Sequence, residues 1–273
     1  MEASVGWFIV QAALMFPAWA LGYRLGRGPR YRAAGAALLG LGGLLLWAWL
    51  LHHPSVSLRI IPASVMRYLE GTAAAPIFMA VIGVATACGR RPSQKRMAGL
   101  ASCLALVYFL YGGMWMLQST PQVGLAETIE RDTLVLQSQN FTCVPAACAT
   151  ALNLIGLPTS EAQMVHLTET RWGRGATLIR ALNGVNHRLE QFPSLRIVAQ
   201  VCEPTYEQLQ VVSLPAVTPV RFEATQHHMV VLTDIGLQGA WVADPGEGML
   251  FMSHEELQGA YTGKVVTFRT LDR

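Results

Sequence analysis

Acidic residues are almost missing from the first 118 positions of this 273-residue chain, where only Glu2 and Glu70 occur against ten Lys and Arg. Subtracting these from the chain's 17 acids and 20 bases leaves 15 acids and 10 bases for residues 119–273. The formal charge of +3 therefore averages a basic half and an acidic half and describes neither. That asymmetry removes the obvious reading of a pI near 8.7. The bases stand between apolar runs instead of forming a face, and the second half is net acidic, so nucleic-acid binding is not expected. Two domains are expected instead, residues 1–120 and residues 125–273.

Charge is absent altogether from Val5–Tyr23, Ala33–Leu51, Thr72–Cys88 and Met97–Leu117. Each is close to the ~20 residues that cross ~30 Å of hydrocarbon, so an all-α transmembrane domain of about four helices is expected. No basic residue precedes the first apolar run, and Glu2 stands where a signal peptide needs positive charge, which argues against cleavage. Arg24, Arg27, Arg30 and Arg32 follow the first run, and Arg90, Arg91, Lys95 and Arg96 follow the third. By the positive-inside rule both clusters stay cytoplasmic, which places both termini and the second domain outside the cytoplasmic membrane.

Other absences narrow the chemistry. No GxxxxGK[ST] phosphate loop occurs, so this chain is not expected to bind ATP and is not a complete ABC exporter. The five cysteines show no CxxC spacing, and His166, His187 and His254 are scattered, so neither a metal nor another cofactor is expected. Cys88 and Cys103 fall in apolar runs. The odd number left in the second half, Cys143, Cys148 and Cys202, fits one free reactive thiol with or without one disulfide. There is no internal repeat and no low-complexity tract.

What the second half does contain is ordered. Gln118–Gln122 reads as the exit from the last span and Leu125–Leu136 as an approach to the folded domain. Thr142–Ile155 is a helix: Pro145 suits a first turn, four alanines favour continuation and Gly156 stops it. Ser160–Thr170 is a second short helix, and Ala176–Leu189 has helical spacing. From about residue 195 the pattern turns to strands over Arg196–Val201, Ala216–Phe222, His228–Ile235, Ala240–Ala243 and Val265–Thr270. Helices followed by an antiparallel sheet predict an α+β domain.

Cys143 opens the first of these helices, where free N–H groups and the helix dipole favour a thiolate. Taken alone, a Cys among alanines is more often a small buried apolar residue, the reading given to Cys148. A nucleophilic Cys needs a base, and the base needs an orienting group. His227 and His228 stand at the entrance of one strand and point to opposite sides. Asp244 ends the next strand before Pro245-Gly246, so two antiparallel neighbours bring a His and an Asp together. Gln137 and Gln139 both precede the Cys-bearing helix, where a side-chain amide can donate to an oxyanion. Spacing alone does not choose between them.

These fragments together resemble the bacteriocin-processing peptidase family, papain-like cysteine peptidases that trim leader peptides after a double glycine. The carrying residues are Gln137-Ser-Gln-Asn-Phe-Thr-Cys143, His228-Met-Val-Val-Leu, Asp244-Pro245 and Tyr261-Thr-Gly263. Thr142 and Val144 depart from the Asp and Gly that usually flank the nucleophile. The resemblance implies a papain-like fold, with Cys143 as nucleophile, His228 as general base and acid, Asp244 as its orienter and Gln137 as oxyanion donor. It covers Gln137 to the C-terminus and leaves the first 120 residues untouched.

The expectation is thus a membrane-bound cysteine endopeptidase acting on a peptide or protein substrate at the lipid bilayer, with a separate transporter or membrane protein as a further partner. Two alternatives use the same fold: a non-catalytic peptide-binding or exporter-accessory module, and a papain-like acyl or amide transferase.

Overall fold

In a computed structural model, residues 2–117, 121, 130–131, 133–221 and 227–271 are described. The chain divides into two compact units, Met1–Ser119 and Thr120–Arg273.

Among the described residues, the regular elements of the first unit are all helices: α1 (Glu2–Gly26), α2 (Arg30–His52), α3 (Pro54–Ile60), α4 (Ala63–Leu69), α5 (Ala74–Cys88) and α6 (Pro92–Leu117). Among the described residues three helices are long and apolar enough to cross a membrane: Gly6–Gly26, Arg30–His52 and Pro92–Gly113. The third expected span differs from its sequence reading. The 15 residues of α5 rise only about 22 Å, short of a bilayer's ~30 Å. A fourth crossing exists only if α4 and α5, bent by 45°, act as one broken span. The break has local causes. Gly71 interrupts the helix, and Pro76 in the first turn of α5 has a ring that would clash with the carbonyl of Thr72 in a continuous helix.

Within this unit α5 packs against α1, α2 and α6. Contact with α1 is close because glycines face it. A Cβ at Gly22 would overlap the Ala80 carbonyl, one at Gly83 the Trp19 carbonyl, and one at Gly26 would come 2.7 Å from the Ala87 Cβ. Gly22 and Gly26 are four residues apart on one face of α1, the small-residue spacing that lets membrane helices approach backbone to backbone.

The second unit begins with a two-stranded ribbon, β1 (Glu130–Arg131) and β2 (Leu134–Val135), then α7 (Cys143–Leu154), α8 (Glu161–Leu167) and α9 (Leu178–Glu190). Next come β3 (Ile197–Cys202), α10 (Tyr206–Leu209), β4 (Ala216–Arg221), β5 (His227–Ile235), β6 (Gly239–Asp244), β7 (Gly248–Ser253), α11 (His254–Ala260) and β8 (Val265–Thr270). The strands β3 to β8 form one antiparallel sheet in the order β3-β8-β4-β5-β6-β7. This is the α+β arrangement the sequence predicts, with β7 added at the edge. The expected exit and approach segments, Gln118–Gln122 and Leu125–Leu136, lie largely outside the described residues.

Helix α7 is buried from Val144 to Leu152, which its alanines permit because their small side chains let neighbouring elements approach closely. It packs against α8, α9 and β5, and the Thr150 hydroxyl accepts the Val135 N–H at 2.9 Å, pinning β2 to it. The Asn186 amide binds both backbone groups of Ala199 at 2.8 and 3.0 Å, fixing α9 to β3. On the sheet, Val220, Val230, Leu232, Ala240, Val242 and Met252 form a buried cluster with Leu209 and Leu257. These contacts hold the start of α7 and the β5–β6 pair, the two places where the polar residues converge.

Candidate active site

The turn before α7 is closed by Thr142, which is fully buried. Its hydroxyl accepts the Gln139 N–H at 3.1 Å and donates to the Gln139 carbonyl at 2.9 Å. A short polar side chain therefore suffices where the family pattern carries Asp. Cys143 is the first residue of α7, so its own N–H has no intrahelical acceptor, and Pro145 has no N–H at all. A half-buried thiol thus sits at the positive end of a helix. Cys148 differs: it is fully buried, and burial first, then the charge of Cys143, pushes its thiol far above the usual range. All three cysteines of this unit carry free thiols.

His228 and Asp244 reach each other because the start of β5 lies beside the end of β6, in the register Val231 opposite Ala243. His228 Nε2–H donates to Asp244 Oδ1 at 2.8 Å. The same oxygen accepts the N–H groups of Gly246 at 2.7 Å and Glu247 at 3.3 Å, donors supplied by the tight turn after Pro245. Asp244 is 3% exposed, and burial works against its charge. The His228 hydrogen bond, the two N–H donors and the His228 charge outweigh burial and hold the carboxyl below its ordinary value.

His228 shows the mirror image. Burial lowers its affinity for a proton. The hydrogen bond to Asp244 and one to the Cys143 thiol, with both charges, overcome that and lift it to about 9. With Nε2 committed to Asp244, Nδ1 is the ring nitrogen left for the thiol. At neutral pH the ring therefore keeps its proton beside the Asp244 carboxylate, ready for a leaving group. The His227 side chain lies outside the described residues.

The two glutamines are separated by their surroundings. Gln139 is exposed, with its backbone groups on Thr142. Gln137 is partly buried, and its N–H donates to the Pro245 carbonyl at 2.8 Å, which ties it to the turn that holds Asp244. Its side-chain Oε1 is buried without a hydrogen-bond partner among the described residues. The two ends of an amide are told apart by their partners, so this open position suits either a donor or an acceptor. His228 and Asp244 are thus joined directly, Cys143 is near enough to raise the proton affinity of His228, and Gln137 is attached to the same turn as Asp244. Among the described residues no group of three His, Cys, Asp or Glu is arranged to hold a metal.

Residues 131–272 match the peptidase C39 family. The chain belongs to that family. As a C39 peptidase it is a cysteine-type peptidase, and the match spans the second unit. Among solved structures, the C39 unit is similar to the peptidase domain of Streptococcus ComA, a bi-functional ABC transporter involved in quorum sensing. That likeness has 18% identity and a TM-score of 0.45, covering 52% of this chain and 100% of that one. A double glycine motif protease from an AMS/PCAT transporter, in complex with the leader peptide, gives 19% identity and a TM-score of 0.42 over 50% of this chain and 91% of that one. The N-terminal peptidase C39 like domain of a toxin secretion ATP-binding protein from Vibrio parahaemolyticus gives 17% and 0.37 over 49% and 100%. No curated protein matches the chain.

Two features of the C39 site were not foreseen from sequence. The first is Glu161, 2% exposed, whose Oε1 accepts the Ser138 N–H at 2.9 Å and so anchors the residue after Gln137 to α8. In the sequence it is one more acid in a helix's first turn, which gives no signal of burial. Glu161→Ala is expected to cost about 1.5–3 kcal/mol of stability, the usual worth of a hydrogen bond to a charged group. It should lower kcat more than it raises KM, with Glu161→Gln restoring most of both. Thermal unfolding and steady-state kinetics on the three proteins check this. The second is the packing of the turn Arg171–Gly175, a turn that Gly173 and Gly175 do announce in the sequence and whose ends form a β-bridge. Gly175 has φ +71°, and a Cβ there would come 2.9 Å from the Phe141 carbonyl, so only glycine fits comfortably. The turn holds Trp172 against Phe141 with ring centroids 5.2 Å apart, an aromatic wall two residues from the nucleophile.

Proposed function

We propose that this C39 peptidase is a membrane-bound endopeptidase that cleaves peptide substrates through Cys143, His228 and Asp244, with Gln137 on the oxyanion. The observation that carries the reading is the His228–Asp244 pair, bonded at 2.8 Å, with Cys143 at a helix start and near enough to raise the proton affinity of the imidazole. The Cys143 sulfur adds to the scissile carbonyl carbon. The Cys143 N–H and the Gln137 amide receive the negative oxygen. His228 gives its proton to the departing amine as the C–N bond breaks. Water, deprotonated by the same imidazole, then attacks the thioester and releases the thiolate. The sequence resemblance makes double-glycine leaders the first substrates to try.

The three long apolar helices support a membrane location, and the basic clusters support its sidedness. Arg27, between α1 and α2, Arg30, at the start of α2, and Arg90, just after α5, line the same cleft. The chain between them therefore leaves that end of the unit and returns, as it does if α2 and the bent α4–α5 pair each cross. α6 starts at the same end and runs 26 residues away from it. With the arginines in the cytoplasm, the peptidase unit follows on the outer side of the cytoplasmic membrane.

The test is modification by a membrane-impermeant iodoacetamide added to intact spheroplasts at mildly acidic pH, comparing wild type with Cys143→Ser and His228→Ala. Fast labelling that both substitutions remove is the expected result. Fast labelling only after lysis would reverse the sidedness while keeping the enzyme. Slow labelling under both conditions would overturn the activated thiol and leave a peptide-binding module.

A further inference from the structure

The cleft between α1, α2 and α5 has no place in peptide cleavage, and its lining is chemically one-sided. It measures about 600 Å³ and is lined by Arg27, Arg30 and Arg90 together with the backbone of Gly26 and Gly28 and the side of Cys88. The three arginines are exposed, and among the described residues none of their guanidinium groups has a hydrogen bond or ion pair. No acid is near in sequence, since this unit contains only Glu2 and Glu70. Gly22, Gly26 and Gly83 force α1 and α5 together, and the Cys88 thiol meets the Gly26 carbonyl at 3.7 Å. The fold thus holds three like charges around one hollow instead of letting them spread. The hollow also meets the start of α2, whose Pro29 cap offers no side-chain acceptor and whose first turn has no acid, so the free N–H groups there add positive potential.

We propose that this cleft binds a phosphate-bearing anion, and that its source is the head group of an anionic membrane lipid. The forked guanidinium matches phosphate oxygens geometrically. Arginines at the cytoplasmic end of membrane helices face the leaflet that carries anionic lipid. A bound phosphodiester offsets the mutual repulsion of the three arginines and locks the α1–α2 and α5–α6 connections to each other. The inference rests on the membrane reading given above and assigns that unit a lipid-binding role in addition to anchoring.

The experiment uses the full chain, wild type and the triple variant Arg27→Gln, Arg30→Gln, Arg90→Gln, with Arg59→Gln as a control for charge removed elsewhere in the unit. Each protein is first tested for resistance to alkaline carbonate extraction, then exchanged into nanodiscs of mixed phosphatidylglycerol and phosphatidylcholine and examined by native mass spectrometry for retained lipid. Wild type and Arg59→Gln are expected to retain phosphatidylglycerol preferentially. The triple variant should lose that preference by on the order of 100-fold, three arginines each contributing a few-fold. Equal preference in wild type and the triple variant would overturn the site. Saturation by inorganic phosphate in detergent, with no lipid preference, would overturn the lipid source and assign the cleft to soluble phosphate. Extraction by carbonate would instead sink the membrane reading itself, an outcome separate from intact anchoring with no lipid preference.

Discussion

His228→Ala is expected to abolish peptide cleavage, with kcat/KM falling by on the order of 10⁶, because groups that act as one unit in a nucleophile–base pair are lost together. Three roles disappear at once. The thiol loses the base that takes its proton, the departing amine loses its proton donor, and the acylated enzyme loses the base that activates water. Cys143→Ala should be equally inactive, and the double variant no worse than either single one. Folding is not expected to suffer in proportion. His228 lies near the start of β5, with its side chain 17% exposed, and its backbone pairing with Val220 is unaffected by truncation. Circular dichroism of His228→Ala should therefore match wild type, with an unfolding midpoint lowered by loss of the His228–Asp244 pair, while turnover of a Gly-Gly-containing peptide vanishes. Substantial turnover by the folded variant would remove His228 from the mechanism.

The parts of this protein that were legible in its sequence share a physical cause, and so do the parts that were not. Cys143 could be placed at a helix start because Pro145 and the alanines after it have few other uses. The strands β3, β4, β5 and β8 announce themselves through Val, Ile and Thr, residues whose branching suits a pleated surface. β7 escaped because Gly-Met-Leu-Phe-Met-Ser contains no β-branched residue and follows its neighbour after a three-residue turn. It is strand because the sheet edge offers it partners along its length. The apolar run at Thr72–Cys88, expected as a span of its own, is long enough to cross only together with α4. Composition says nothing about a bend, though, and the break that leaves α5 short depends on Gly71 and Pro76 acting together. In the site, His228 and Asp244 could be paired from strand order. The choice of Gln137 over Gln139 rested on family spacing, and the two differ visibly only in the fold, where one is tied to Pro245 and the other faces solvent. Glu161 left no trace in the sequence, because burial of a charge follows from which neighbours close over it.

The carboxylate's contribution is separable from the imidazole's by pH. Asp244→Asn is expected to keep the side chain's shape while removing its negative charge, cutting kcat by up to about 10⁴. It should also move the alkaline limb of the kcat/KM profile. In the wild type His228 loses its proton at about 9, so the proton donor for the leaving amine should fade as pH rises through that value. Of the influences on His228, burial favours the neutral ring and remains in the variant. The Asp244 charge, which favours the imidazolium, is gone, and the Cys143 contribution stays. The alkaline limb must then shift to lower pH. Stability follows the same signs. His228 is raised in the folded state, so its contribution is full below the ordinary histidine value of 6.5 and is lost as pH climbs through about 9. Asp244 is depressed, so its contribution is present above the ordinary 3.8 and is lost as pH falls through its lower folded value. Wild type should therefore resist denaturant best between those bounds, whereas Asp244→Asn should show a flatter dependence on both sides. Urea unfolding across that range, alongside the kinetic profile, reads both effects. An alkaline limb that stays near 9 in Asp244→Asn would mean that the carboxylate does not tune the imidazole, and would leave Asp244 as a turn former held by Gly246 and Glu247.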